Sequence, residues 1–378
     1  MSSWLSSIEI KFRMNSIASR LVLTGFLCLC LPLIGVLMTG HDLAPFLKFP
    51  PEVRDIGEID FSWNVAIVYW AGMIALFAWL LKPRVLLVAE RNAGNSTGSS
   101  FPLWGWLALA WLGFFWWLAW GRAPWFAWGQ KFTFTPLWTG YILVMNALVH
   151  QRTGRCPMLE RPGFFLILFP VSAIFWWTFE YYNRFVQNWI YLGSDVGVLE
   201  YFIHATVCFS TVLPAVYSTA VLLKTFPGLQ ARMRGPRLKF KSPVTFARAI
   251  LLLCVVAFLL VGVRPRELYP LLWTGPLLTW MALSFLAGEP EDLGELRDGD
   301  WRQVWTWALA ALVCGLFWEM WNSLSLVKWI YQVPHLHGVL VFEMPLAGFA
   351  GSLPFGLECA VVTAMIRRWA LNSDSLTH

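Results

Sequence analysis

Ten apolar runs, each close to the length that crosses a lipid bilayer, constrain the fold of this chain more than any other feature. A transmembrane helix needs about 20 consecutive apolar residues, and only helices or closed barrels satisfy their own backbone hydrogen bonds in lipid. Hydrophobic residues make up 58% of the chain and charged residues only 13%. The sequence therefore predicts an all-α, polytopic transmembrane helical bundle. The runs cover residues 21–38, 65–81, 103–120, 137–149, 164–179, 201–223, 249–263, 271–287, 304–318 and 346–366.

The positions of the positive charges indicate how the spans are oriented. Most of the 28 Lys and Arg fall in alternate loops, and the loop that holds Arg232 and Lys241 is the most basic. This asymmetry is typical of the positive-inside rule and predicts that both termini lie inside a multi-pass protein of the cell (inner) membrane. We expect the basic loop to contact membrane lipids and expect no nucleic acid partner. The first apolar run is long enough to remain as a span, so we expect no cleaved signal peptide.

Several local patterns occur twice along the chain. The recurring pairs are Trp138-Thr139-Gly140 with Trp273-Thr274-Gly275, Glu180 and Asn183 with Glu319 and Asn322, Trp189-Ile190-Tyr191 with Trp329-Ile330-Tyr331, and Pro214 with Pro354. They predict two copies of a unit with four spans each. An even number of spans makes both copies insert in the same direction, related by a pseudo-two-fold axis along the membrane normal. A duplication that only enlarges the bundle remains the alternative.

The repeat divides the chain into five predicted segments. Residues 1–101 form a leader of two helices and a flexible linker, and residues 102–225 form the first four-helix repeat. A basic cytoplasmic connector covers residues 226–243, the second four-helix repeat covers 244–369, and a polar tail covers 370–378. In repeats of this kind the functional cavity commonly lies between the copies.

The repeated acid and amide pairs are the first candidate functional groups. Glu180 and Asn183 are three residues apart, as are Glu319 and Asn322, so each pair shares one helix face. A carboxyl group beside an amide in a low-dielectric environment can be held neutral and donate a proton. Hydrogen bonding to a neighbouring helix, cation binding and a solvated helix end are the alternatives.

Two further acids belong to the second copy alone. Glu343 directly precedes Met344-Pro345, where it suits the start of a helix, and a capping role there is the alternative to a catalytic one. Glu358 lies deep inside the last apolar run, and Ser218 stands at the matching place in the first copy. A carboxyl group at such depth is costly and usually faces a cavity or a partner. Glu358 is therefore the first candidate for a functional acid.

The 25 tryptophans exceed what an interfacial belt requires. We expect an aromatic pocket beside the acids, whereas belt and packing roles are the alternative. Its candidate substrate-binding residues are Trp177, Trp318, Trp321, Trp329, Tyr331, His335 and His337. A pocket of this kind suits a long isoprenoid-like lipid. Glu200 and His204 are spaced for an acid–imidazole pair, but two ligands do not make a metal site, so we expect no metal. The sequence identifies no cofactor.

The second copy also resembles a known enzyme family. At Glu319–Asn322, Trp329-Ile330-Tyr331 and Phe342-Glu343-Met344-Pro345-Leu346, the chain resembles integral-membrane lycopene cyclases and related carotenoid enzymes. The resemblance implies intramembrane carboxyl groups close to a proline-containing motif, and a cyclisation started by an acid. The chain departs from the family pattern because Glu343 is single and precedes the proline, whereas the paired acids of the family follow it.

Three functions are compatible with the sequence. The first is an enzyme that does acid–base chemistry on an apolar, isoprenoid-like lipid substrate, with Glu358 or Glu319 as the proton donor. The second is a transporter or channel with the acids along a pathway between the repeats. The third is a non-catalytic assembly or anchoring subunit that packs against a membrane-protein partner. No Walker loop or dinucleotide fingerprint is present in the sequence.

Overall fold

The computed structural model of the chain describes residues 17–52, 62–81, 98–193, 196–239, 241–289, 294–336 and 339–374, and helices dominate this part. The α-helices are α1 (Ile17–Met38), α2 (Ala44–Leu47), α3 (Trp63–Leu81), α4 (Leu103–Gly121), α5 (Phe134–Thr153), α6 (Pro157–Glu160), α7 (Pro162–Val186), α8 (Val198–Phe209), α9 (Val212–Lys224), α10 (Pro227–Arg232), α11 (Pro243–Val261), α12 (Pro265–Leu268), α13 (Gly275–Leu286), α14 (Arg302–Ser323) and α15 (Ser352–Asp374). The strands are β1 (Trp189–Leu192), β2 (Lys328–Tyr331), β3 (Leu340–Val341) and β4 (Met344–Pro345). Short 3-10 helices cover Pro124–Phe132, Tyr269–Trp273, Gly294–Asp298 and Leu346–Gly351.

The helices identify a multi-pass membrane protein. Within the described residues, 7 helices are long and apolar enough to cross a bilayer, or 8 if the bent pair of Pro124–Phe132 and α5 counts as one span. All ten predicted apolar runs are mainly helical, but not all form long unbroken spans. The run at 271–287 is divided between a 3-10 helix and α13, which has only 12 residues. Proline and glycine at this break explain the difference, because neither residue favours a helix interior.

A broken span in the first half is stabilised by a buried serine. α8 ends at Phe209 and α9 begins at Val212, so the predicted run at 201–223 is interrupted. The Ser172 hydroxyl donates to the carbonyl oxygen of Phe209 at 2.6 Å and accepts the backbone N–H of Leu213 at 2.9 Å. Because an open backbone in lipid is costly, these two bonds allow the break to lie inside the bundle. The last span is interrupted in a related way, with the 3-10 helix Leu346–Gly351 ahead of α15.

The core is continuous across both halves of the chain. α14 packs against α15 and also against α9, while α9 contacts α5 and α7. The predicted leader does not stand apart, since α1 packs against α11 and α13. The beginning of that leader (residues 1–16), most of the linker at 93–100 and residues 375–378 of the tail lie outside the described residues. The helix α15 extends through Asp374, into the segment predicted as the polar tail.

The segments after α7 and α14 contain short strands. The aromatic stretches at 184–199 and 323–345, the second of which also contains prolines, predict partly re-entrant or surface-lying segments. The structure has β1 in the first stretch and β2, β3 and β4 in the second. β1 pairs with β2 and β3 pairs with β4, both antiparallel. Pairing satisfies backbone groups that would otherwise be unbonded close to the bilayer, which explains why extended structure is favoured here.

Candidate functional site

The two Trp-Ile-Tyr triplets form one antiparallel ribbon. In the pairing of β1 with β2, Trp189 lies opposite Tyr331 and Tyr191 lies opposite Trp329. Side chains alternate between the two faces of a strand, so these four aromatic side chains lie on one face of the ribbon. That face is turned to α7 and α14, where the two predicted glutamates lie. The ribbon therefore brings together residues from both copies of the sequence pattern.

Glu180 of α7 is held by three donors. Its Oε1 atom accepts a hydrogen bond from the Tyr191 hydroxyl at 2.6 Å, from the Trp189 indole N–H at 3.1 Å and from the Trp176 indole N–H at 3.2 Å. The side chain is only 3% exposed. A buried carboxyl group needs such partners, because an unsatisfied polar atom costs about 1–3 kcal/mol.

Glu319 of α14 has the corresponding partners from its own strand. Its Oε1 atom accepts a hydrogen bond from the Tyr331 hydroxyl at 2.8 Å and from the Trp329 indole N–H at 3.2 Å. In contrast, its Oε2 atom is buried and has no hydrogen-bond partner within the described part of the chain. Glu319 therefore keeps one oxygen available for another group.

The amides of both pairs bind the strand backbone. Asn183 Nδ2 donates to the carbonyl oxygen of Trp189 at 2.7 Å, and Asn183 Oδ1 accepts the backbone N–H of Asn188 at 2.8 Å. Asn322 Nδ2 donates to the carbonyl oxygen of Trp329 at 2.7 Å, and its Oδ1 accepts the N–H of the same residue at 2.8 Å. Each amide thus fixes the position of the strand whose aromatic side chains bind the neighbouring glutamate.

The two tyrosines of the ribbon are suited to donate protons in hydrogen bonds. Burial raises the pKa of Tyr191 well above its ordinary value, and the charge of Glu180 raises it further. Burial and the charge of Glu319 raise the pKa of Tyr331 in the same way. Both hydroxyl groups therefore keep their protons at neutral pH and serve as donors to the carboxyl groups.

A cavity of about 620 Å³ lies against the aromatic face of the ribbon. Its lining comes from both halves of the chain, including α5, α8 and α9 from the first and α13, α14 and α15 from the second. Most of this lining is apolar, with aromatic rings that include Trp176, Trp273 and Phe355. The volume lies within the range of about 300–1,000 Å³ that is typical of small-molecule sites. We call this space the aromatic cavity.

The predicted site residues divide into two groups. Those that line the aromatic cavity are Glu319, Asn322, Trp318, Trp321, Trp329 and Tyr331. Those placed elsewhere are Glu180, Asn183, Trp177, Glu343, Glu358 and His335. His337 lies outside the described residues. Those of this set that line the cavity therefore all come from the second half of the chain.

Glu343 lies in the turn between β3 and β4, and α15 begins only at Ser352. The sequence places Glu343 at the start of the last helix, but Met344 and Pro345 pair with Val341 and Leu340 instead. Its Oε1 atom accepts a hydrogen bond from the Lys328 ammonium group at 2.6 Å. Glu343 is therefore the ion-pair partner of a lysine that lines the cavity.

Glu358 is buried in α15, as its place in the apolar run predicts, with only 3% of its surface exposed. It lies near Cys28 and Tyr182 and is not among the residues that line the aromatic cavity. The backbone N–H of Leu277, in the first turn of α13, is directed at this carboxyl group. Nevertheless, neither oxygen accepts a hydrogen bond of normal geometry from the described residues.

The remaining candidates have structural contacts of their own. Trp177 stacks on Phe202 with ring centroids 5.7 Å apart and donates its indole N–H to the Thr206 hydroxyl at 3.0 Å. His335 has a left-handed backbone conformation with a φ of 62°, and its carbonyl oxygen accepts the N–H of Ser62 at 3.4 Å. The contacts of Trp177 join α7 to α8, the contact of His335 joins the segment after β2 to the residue before α3, and neither side chain lines the cavity.

The predicted pair of Glu200 and His204 is divided between other partners. Glu200 accepts a hydrogen bond from Lys131 at 2.7 Å, while the His204 ring packs edge-on against Phe132. His204 lines the aromatic cavity and its Nε2 atom is buried without a partner among the described residues. Across the same residues, no three His, Cys, Asp or Glu side chains gather closely enough to hold a metal ion.

Gly315 escapes prediction from the sequence, whereas Trp176 is one of the tryptophans that the sequence shows close to the repeated acids. Trp176 lies one helical turn before Glu180, and Gly315 lies one turn before Glu319. Trp176 donates to Glu180, whereas Gly315 lines the cavity beside Glu319. If the two Glu–Asn pairs are aligned, Trp176 and Gly315 occupy the same position. Because a tryptophan and a glycine have no chemistry in common, the alignment alone does not identify this position as functional.

Comparison of the chain with known protein families, with curated proteins and with solved structures finds no match.

Proposed function

We propose that this multi-pass membrane protein binds an apolar, isoprenoid-like lipid in the aromatic cavity and performs acid–base chemistry on it. The aromatic cavity of about 620 Å³, lined by both halves of the chain and by the carboxyl group of Glu319, is the observation that carries this proposal. Aromatic and apolar walls suit a hydrocarbon chain, and a few polar groups then fix its orientation.

Glu319 is the proposed proton donor. It lines the cavity, and its Oε2 atom is free of protein hydrogen bonds within the described residues. Tyr331 and Trp329 hold the other oxygen and so fix the orientation of the carboxyl group. A positioned acid of this kind can transfer its proton to an apolar substrate and recover it from the product. The resemblance to integral-membrane lycopene cyclases implies the same kind of chemistry.

The proposed architecture is a pair of parallel four-helix repeats within a bundle of about ten spans, with both termini inside. Equivalent hydrogen bonds in the two halves support it. Trp189 and Tyr191 donate to Glu180, and Trp329 and Tyr331 donate to Glu319. The cavity then lies between the copies, and specialisation of the second copy makes Glu319 the reactive acid.

Analysis of bound lipid tests the proposal. The protein is purified in a mild detergent, and its lipids are extracted and read by mass spectrometry and by absorbance. We expect an apolar isoprenoid or polyene in an amount comparable to that of the protein. Protein that carries only the bulk phospholipids of the membrane would contradict the proposal.

A transport function is the second candidate, and the position of the cavity between the two halves supports it. Acids along a pathway between repeats would then couple the movement of a substrate to protons or ions. Flux of protons or small cations in liposomes discriminates the two functions, since the proposed enzyme produces none. A non-catalytic assembly role would instead give a stoichiometric membrane-protein partner on gentle purification.

A further inference from the structure

The two repeated glutamates differ in the residue that lies one helical turn before them, which is a tryptophan in one case and a glycine in the other. Trp176 and Gly315 each precede their glutamate by four residues, which places them on the same helix face as the carboxyl group. In the first copy, the Trp176 indole N–H donates to Glu180 at 3.2 Å. In the second copy, the absence of a side chain at Gly315 leaves this place empty.

The space beside Gly315 is continuous with the aromatic cavity, whose lining includes Gly315 and Glu319. A Cβ atom built on Gly315 would meet only the Ser352 hydroxyl oxygen, at 3.4 Å. Gly315 and Glu319 thus border the same cavity, and Gly315 has no side chain where the matching position of the first copy has Trp176. The Oε2 atom of Glu319, on a side chain only 2% exposed, has no partner among the described residues.

Other buried polar atoms accompany this oxygen at the cavity wall. Asn188 Oδ1 and Trp321 Nε1 are buried without partners in the described part of the chain, and both residues line the cavity. Asn188 adjoins the ribbon, because its carbonyl oxygen accepts the backbone N–H of Gln332 at 2.8 Å. Since buried polar groups in proteins are nearly always hydrogen-bonded, these atoms indicate a ligand that itself carries a hydrogen-bonding group.

The charges around the cavity favour an uncharged ligand. Lys131 and Lys328 line it, but each already forms an ion pair, with Glu200 at 2.7 Å and with Glu343 at 2.6 Å. Each ion pair is already neutral, so an anionic head group would bring a negative charge without an unneutralised lysine to balance it. A charged group also pays several kcal/mol when it leaves water, and this cost is repaid only by good counter-charges.

We propose that Glu319, opened to the aromatic cavity by Gly315, selects an apolar lipid that carries an uncharged hydroxyl group. This inference rests on the proposed function, because it requires that the cavity binds a lipid at all. A hydroxyl group fits either form of the acid, since it donates to a carboxylate and accepts from a carboxyl group. A plain hydrocarbon leaves Oε2 unsatisfied.

Four probes with the same isoprenoid chain test the inference on the full-length protein in detergent. They are farnesol, the hydrocarbon that has the same double bonds but hydrogen in place of the hydroxyl group, farnesyl phosphate and farnesylamine, and binding is followed by the change in tryptophan fluorescence. We expect the wild type to bind farnesol about tenfold more tightly than the hydrocarbon, which corresponds to one well-placed hydrogen bond. We also expect it to bind farnesol more tightly than either charged probe.

Two substitutions at one position provide the matched comparison. Gly315→Trp places an indole beside Glu319, as Trp176 does beside Glu180, and we expect it to abolish the preference for farnesol. Gly315→Ala adds only a methyl group in ordinary contact with Ser352 and is expected to keep the preference. A thermal unfolding transition of each variant shows that it is folded, and the wild-type comparison stands even if Gly315→Trp does not fold.

Each outcome has one meaning. Equal binding of farnesol and hydrocarbon, or tighter binding of the phosphate or the amine, would overturn the selection of an uncharged hydroxyl while leaving lipid binding intact. Retained preference in a folded Gly315→Trp variant would overturn the role of Gly315. If none of the four probes binds, the proposed lipid-binding function itself fails.

Discussion

Ile190 lies directly opposite Ile330 at the centre of the antiparallel pair of β1 and β2. Because both isoleucines are the middle residues of Trp-Ile-Tyr triplets, the tryptophan of each strand lies opposite the tyrosine of the other. The two triplets have the same sequence and pair with each other, so their four aromatic side chains lie symmetrically about the isoleucines. Each strand then binds the glutamate of the helix that precedes it, and the two halves of the chain meet at one ribbon.

The amide of Asn322 is expected to stabilise the ribbon, because it satisfies both the N–H and the carbonyl group of Trp329. Asn322→Ala leaves these groups without partners and should lower the free energy of unfolding by about 1–3 kcal/mol. The measurement is the thermal unfolding midpoint in detergent. Ser323→Ala is the control, since the Ser323 hydroxyl donates to the Met320 carbonyl oxygen within its own helix. Equal effects of the two substitutions would contradict the role of the amide.

Gly356 allows α15 to lie close to α14. A Cβ atom at this position would overlap the carbonyl oxygen of Trp307. Gly356→Ala should therefore force the helices apart and destabilise the protein by about 1–3 kcal/mol. Gly113→Ala in α4 is the matched control, because nothing lies within 4 Å of its added methyl group. Because alanine favours a helix more than glycine does, Gly113→Ala should be neutral or stabilising. Unfolding midpoints that fall equally in Gly113→Ala and Gly356→Ala would contradict close packing at Gly356.

Asp300 ties the connector after α10 to the start of α14. Burial alone would raise the pKa of Asp300, but hydrogen bonds from Arg302 and the charge of Arg234 outweigh this and hold the pKa below its ordinary value. Its stabilising contribution is therefore fully present above the ordinary Asp pKa of about 4, and is lost as the pH falls through the lower folded-state pKa. Asp300→Asn should lower the free energy of unfolding by about 1–3 kcal/mol at pH 7.

Unfolding midpoints measured as a function of pH test this prediction. The difference between the wild type and Asp300→Asn should be constant near neutral pH and should shrink below about pH 4. The exposed neighbour Asp298 provides the control substitution, Asp298→Asn. If the difference between the wild type and Asp300→Asn grows as the pH falls, the pKa of Asp300 is raised on folding and the prediction is wrong.

The sequence predicts the long helices of this fold because they are encoded locally, as apolar runs, although it does not show where the runs at 201–223 and 271–287 break. The ribbon is different, because the contact of Trp189 with Tyr331 joins distant parts of the chain and each strand has only four residues. Strands of this length show too little alternation for a pattern to be read. The recurrence of both triplets identified them as important but did not reveal that they pair.

The candidate acids show the same limit. The depth of Glu358 in an apolar run correctly predicts that it is buried, yet α15 is apolar on most of its surface. The rotation of such a helix is set by packing against its neighbours, so the sequence does not reveal that Glu358 lies near Tyr182 and outside the lining of the cavity. Glu343 was predicted at a helix start from Pro345, but pairing of β3 with β4 overrides that local preference.

The lipid composition of membranes that contain the protein tests the central claim most directly. Lipids are compared between cells that make the wild type, Glu319→Gln and Glu180→Gln at equal protein levels. Both glutamates are buried and bind a tryptophan and a tyrosine of their own strand, but only Glu319 lines the cavity. We predict that the product lipid disappears with Glu319→Gln and persists with Glu180→Gln. An unchanged lipid profile in folded Glu319→Gln protein would contradict the account.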